Sequence, residues 1–120
     1  MLASELSVFK GRAAKLNLAI FLILGLSDPL TIKELQKQLS KDKKLEGTYY
    51  ASLTKRLRCL VGDEYLKENK IGNKSATYQL TFKAYLAMFL DSNSKQEILD
   101  KASEKKRAFL LLALVNSMQE

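Results

Sequence analysis

Apolar residues recur at helical spacing over residues 13–62 of this chain, alternate as in strands over 65–82, and return to helical spacing beyond. Ahead of this, Leu2, Leu6 and Phe9 predict a short N-terminal helix bent at Gly11. Over residues 13–26, Leu16, Ala19, Ile20, Ile23 and Leu24 mark one face, and Leu18, Phe21, Leu22 and Leu26 widen it almost all round. A helix apolar on most sides is buried on most sides, against more than one layer. Pro29 disfavours helical geometry at Asp28 and stops it. Thr31 and Glu34 then have capping-box spacing and open a helix from Ile32 to about Leu39, with Ile32, Leu35 and Leu39 inward. Residues 40–47 read as a turn pinned to the core by Leu45.

The next helix starts near Thr48 and ends near Gly62, with Tyr50, Leu53, Leu57 and Leu60 as its buried stripe. Residues 65–70 and 77–82 are rich in strand formers, and the polar, glycine-containing segment between them predicts an antiparallel hairpin. Thr81 is placed to cap a helix over 82–90 with Tyr85, Leu86 and Phe89 inward. Ser94 and Glu97 form a second capping-box pattern, opening a final helix to about Met118. The pattern is mainly α with a small β-hairpin, an α+β fold of 120 residues.

Composition narrows the chemistry. The chain has no histidine, which removes His-dependent nucleophilic triads and the usual zinc sites. Its five glycines form no phosphate-cradling loop. The adjacent acids Asp63 and Glu64 suit a helix end better than acid–base catalysis. No enzyme activity and no cofactor is expected. A single cysteine, Cys59, allows no disulfide within the chain and favours an intracellular location. The N-terminus has no secretory pattern, and the apolar run over 16–26 is shorter than the roughly 20 residues a bilayer requires. The expectation is a cytoplasmic, nucleoid-associated protein without membrane insertion.

Charge is concentrated. The chain carries a net charge of +7, and residues 31–90 alone hold 12 Lys/Arg against 6 Asp/Glu. The two flanks are close to neutral. A basic field of this kind fits a partner rich in phosphate, although it also serves solubility. At about 100° per residue, Thr48, Ala51, Ser52, Lys55, Arg58 and Cys59 point away from the buried stripe of their helix, with Arg56 at its edge.

Three segments resemble the winged helix-turn-helix transcription regulators of bacteria and archaea, loosely PadR- or MarR-like. Residues 29–35 (Pro-Leu-Thr-Ile-Lys-Glu-Leu) are similar to the opening of the motif's first helix. Residues 47–57, with a Gly-Thr-Tyr-Tyr start, resemble a recognition helix. Residues 78–84 resemble the return strand of a wing and the turn into the following helix. Glu64 stands where such proteins often place glycine, and the turn before Thr48 is longer than in a compact motif. The resemblance implies a winged helix-turn-helix plus C-terminal helix, divided into a domain over 1–90 and a dimerisation helix over 91–120.

It also implies sequence-specific binding of double-stranded DNA by a homodimer. The recognition helix, about 48–61, would enter the major groove, and the wing, about 65–82, would lie on the backbone or in the minor groove. Ser52 and Lys55 are then candidates for base contact, with Thr48 and Tyr49 near the helix start. Lys55, Arg56 and Arg58 serve equally as phosphate clamps, and Arg56 has Asp63 and Glu64 as alternative partners. Lys70, Asn73, Lys74 and Ser75 would act from the wing, and Lys41, Lys43 and Lys44 would hold flanking phosphates. Over 109–115 seven apolar residues follow one another. Phe109, Leu111, Leu112 and Val115 are the expected dimer contacts, with packing of this helix on its own domain as the alternative. A winged-helix module that binds protein within a larger assembly is the competing function.

Overall fold

A computed structural model describes Val8, residues 11–43, Leu45, and residues 50–91 and 104–118. The expectations at the N-terminal helix, Lys44, Thr48, Tyr49 and the second capping box lie outside the described residues. The order of elements is α1 (Ala14–Gly25), β1 (Leu30–Thr31), α2 (Ile32–Leu39), α3 (Tyr50–Gly62), β2 (Leu66–Asn69), β3 (Thr77–Leu80), α4 (Phe82–Leu90) and α5 (Glu104–Ser117). The architecture is α+β, with helices packed around a three-stranded antiparallel sheet of order β1-β3-β2. Among the described residues no helix is long and apolar enough to cross a membrane.

The third strand was not legible in the sequence. β1 is two residues long and pairs Leu30 with Tyr78 and Thr31 with Thr77. Thr31 does double duty. Its side chain accepts from the Glu34 N–H at 3.2 Å, while the Glu34 carboxylate accepts from the Thr31 N–H at 3.0 Å. The strand therefore runs directly into the capped start of α2, and the sheet sets the direction of that helix. The bond from the Thr31 N–H, followed by the one from its hydroxyl, holds the Glu34 carboxyl below its ordinary value of 4.5.

α1 occupies the centre. Ile20 and Phe21 are wholly buried and Leu24 nearly so, and the helix touches α2, β3 and α4, as its all-round apolar pattern requires. Leu35 and Leu39 of α2 and Leu53, Leu57 and Leu60 of α3 close one side of the core. Leu45 packs against this core from the turn, as expected. Within α1, Asn17 is buried, and its Nδ2 donates to the Val8 carbonyl at 2.7 Å, joining Val8 to the helix.

Two buried faces differ from the sequence reading. Tyr50 is 48% exposed, because α3 begins there and the residue lies past the end of the stripe it was expected to join. In α4 the buried residues are Ala84, Ala87 and Met88, whereas Tyr85 and Phe89 are half-buried and Leu86 is exposed. The small residues allow close approach to α1, and the larger ones are displaced to the flanks. Close approach also explains Gly25. A Cβ there would come within 3.0 Å of Leu110 and 3.2 Å of Leu80, so the bare backbone leaves room for α5 to seat Leu110 in the core.

α3 ends in a Schellman arrangement. The Tyr65 N–H donates to the Leu60 carbonyl at 2.9 Å and the Glu64 N–H to the Val61 carbonyl at 3.0 Å. Glu64 holds the left-handed conformation, φ 66°, that this cap requires. The acidic pair thus ends the helix and leads into β2, and the absent glycine has been replaced at some cost in strain.

Candidate nucleic-acid interface

The outward face of α3 carries Ala51, Ser52, Lys55, Arg58 and Cys59, all exposed, with Arg56 half-buried at the edge. Thr54 is half-buried and turns inward on itself, its hydroxyl donating to the Tyr50 carbonyl at 2.8 Å. Among the described residues Arg56 forms no ion pair with Asp63 or Glu64. The backbone carbonyls of those two acids instead accept bonds from the helix that follows the sheet. Lys83 donates to Asp63 at 2.7 Å, and Thr81 to Glu64 at 2.7 Å. Lys83 also lies over the ring of Tyr65, 4.5 Å from its centroid, so it is a structural cation at the base of the hairpin.

The hairpin pairs Leu66 with Leu80, Lys67 with Gln79, Glu68 with Tyr78 and Asn69 with Thr77. Tyr78 is buried in the middle strand and donates its hydroxyl to the Glu68 carboxylate at 2.6 Å. Burial first, then this bond and the charge of Glu68, push the phenol up to about 12. The charge of Arg58 acts in the opposite sense at the same hydroxyl. α3 packs against β2, the strand that carries Glu68.

Beyond the ladder, Lys70, Asn73, Lys74 and Ser75 are all exposed. Ser75 and Ala76 line a cleft of about 200 Å³ together with Thr31, Ile32, Lys33 and Tyr50. The start of α2, the start of α3 and the foot of the hairpin loop thus meet at one place. Lys33 and Tyr50 belong to this meeting point and were missed as site residues. Lys33 sits in the first turn of a helix that the sequence marked only as capped, and Tyr50 was assigned to the core. Lys41 and Lys43 are exposed in the turn after α2. The structure brings Ser75 next to Tyr50 and Lys33. It places Lys41 and Lys43 in a separate segment after α2.

On α5, Leu110 is wholly buried, but Phe109, Leu111, Leu112 and Val115 are each about half exposed, at 51%, 50%, 56% and 50%. Phe109, Leu112, Ala113 and Asn116 form one wall of an open groove of about 810 Å³, and residues 25–30, Glu34 and Tyr85 form the rest. No group of three or more Cys, Asp or Glu capable of holding a metal ion occurs among the described residues. No family model matches the chain, and neither a curated protein nor a solved structure is significantly similar to it.

Proposed function

We propose that this protein is a winged helix-turn-helix regulator of transcription that binds double-stranded DNA as a homodimer. In this reading α3 enters the major groove, and the β2–β3 hairpin is the wing that follows the backbone or the adjacent minor groove. The observation that carries it is the outer face of α3. Ser52, Lys55 and Arg58 are exposed side by side, and the hairpin beside them adds Lys70 and Lys74. A single face with small hydroxyls for base edges and cations for phosphate suits duplex DNA. The order helix, strand, two helices, hairpin, helix supports the same reading. The half-exposed apolar residues of α5 supply the surface for the twofold contact, which would present two copies of α3 to a pseudo-palindromic site.

The test is duplex binding followed by fluorescence anisotropy across a salt series, with random and genomic fragments compared. Log affinity is expected to fall linearly with log salt, because each neutralised phosphate releases counterions. Affinity that hardly changes between low and physiological salt overturns the proposal. The same half-exposed α5 surface favours a second reading, a winged-helix module that binds protein. Absence of duplex binding at low salt would select it.

A further inference from the structure

The hairpin tip carries a residue that its surroundings do not explain. Ile71 is 75% exposed, the most exposed of the large apolar side chains described, and it stands among exposed polar neighbours: Lys70, Asn73, Lys74 and Ser75. Strand pairing ends at Asn69 and Thr77, so the tip projects beyond the sheet. It is nonetheless ordered by its own turn. The Lys74 N–H donates to the Ile71 carbonyl at 3.1 Å, and Gly72 between them takes a positive φ of 58°. Nothing lies within 4 Å of where a Cβ on Gly72 would stand, so the tip is uncovered. Ile71 adds nothing to the core, and its exposure opposes solubility.

We infer that Ile71 is an apolar probe that the wing inserts into the minor groove, where it selects A·T over G·C pairs. The inference rests on the duplex-binding reading above. The minor-groove floor of an A·T pair presents only acceptors, whereas G·C adds the protruding guanine amino group, which a branched aliphatic side chain cannot hydrogen-bond and would have to displace. Apolar side chains pressed between base steps from the minor-groove side are an established way to use such a residue. Lys70 and Lys74 flank the tip and are placed to hold it against the phosphates on either side of the groove, whatever the sequence. The lysines thus bring the tip to the groove, and the isoleucine reads its floor. Asn73 and Ser75 remain free to reach phosphates.

Inosine isolates this contact. An I·C pair presents the major groove of G·C and the minor groove of A·T, since inosine is guanine without the amino group. The experiment measures affinity of the full chain for three duplexes of about 30 base pairs at low salt: G·C-rich, the same sequence with inosine for guanine, and A·T-rich. The wild type is expected to bind the I·C and A·T duplexes on the order of tenfold more tightly than the G·C duplex. Ile71→Ser should lose that preference while retaining binding to the G·C duplex, and Ile71→Leu should keep it. Circular dichroism of each variant establishes that the hairpin change leaves the fold intact. Equal wild-type affinity for G·C and I·C duplexes overturns the inference, as does a preference that survives in Ile71→Ser. Failure of the wild type to bind any of the three duplexes is a separate outcome, which removes the DNA reading and this inference with it.

Discussion

Glu64 shows how much a single residue can depend on its neighbours. It occupies a left-handed position closing α3, where glycine carries no steric penalty. Its side chain is exposed and forms no ion pair among the described residues. Replacing it by glycine should therefore stabilise the fold by about 0.5–1 kcal/mol, read as a higher urea midpoint with unchanged slope. A lower midpoint would mean that the Glu64 side chain does something its exposed position does not reveal. Tyr78 makes a prediction about alkaline stability. Its phenol is raised from 10.0 to about 12 in the folded chain, so the neutral form is favoured by folding. That contribution is complete below pH 10 and is lost as pH rises through 12, a span worth about 1–2 kcal/mol once solvent screening is allowed for. Urea midpoints should fall over this window in the wild type. Tyr78→Phe should lose the hydrogen bond to Glu68 and much of this pH dependence together. A tyrosine absorbance titration in which all five tyrosines ionise together near 10 would contradict the assignment.

At the scale of elements, α3 and the hairpin divide the proposed work between them. Lys55 projects from the middle of the exposed face of α3, and Lys74 from the turn at the hairpin tip. Lys55→Ala should reduce discrimination between DNA sites, by about 1–3 kcal/mol at the affected base pair. Lys74→Ala should weaken all sequences about equally and lower the salt slope by about one. Competition between specific and random duplexes separates the two, and equal loss on all sequences for both variants would remove base reading by Lys55. The two elements are joined by the packing of α3 against β2.

For the whole molecule, the question is whether α5 makes one contact or two. Leu110 is already spent on the core, where the missing side chain of Gly25 admits it. Phe109, Leu111, Leu112 and Val115 keep about half their surface in water. Completing the burial of each is worth roughly 1 kcal/mol, hence about 8 kcal/mol for a symmetric pair. Association costs an estimated 4–15 kcal/mol, so these residues alone support about a millimolar contact at best, and a tighter dimer needs further burial, for which exposed Met118 is placed. Sedimentation equilibrium should show a dimer at tens of micromolar (~) in the wild type and a monomer for Leu112→Glu, whose carboxylate would be buried unpaired. Because Leu112 is exposed in the single chain, the variant should keep its thermal stability. A wild type that remains monomeric would remove the two-half-site model.

Legibility followed the range of the interactions involved. Periodicity located α1, α2, the hairpin and α4 to within a residue or two, and the Thr31–Glu34 spacing marked a capping box that is formed at both bonds. These features are local, since the partners lie within four residues or on one repeating face. The charge surplus of residues 31–90 and the exposed side of α3 were likewise set by composition and by 100° steps. Tertiary structure decided the rest. Strand β1 exists because β3 offers it a free edge, and two residues carry no periodicity of their own. Which face of α4 is buried was decided by the proximity of α1, which takes Ala84 and Ala87 in preference to larger neighbours. The cleft joining Lys33, Tyr50 and Ser75 unites three segments far apart in the chain, and the division of α5 into one buried leucine and four half-exposed residues depends on a space at Gly25. Such features arise from packing between distant segments, and no spacing along the chain records them.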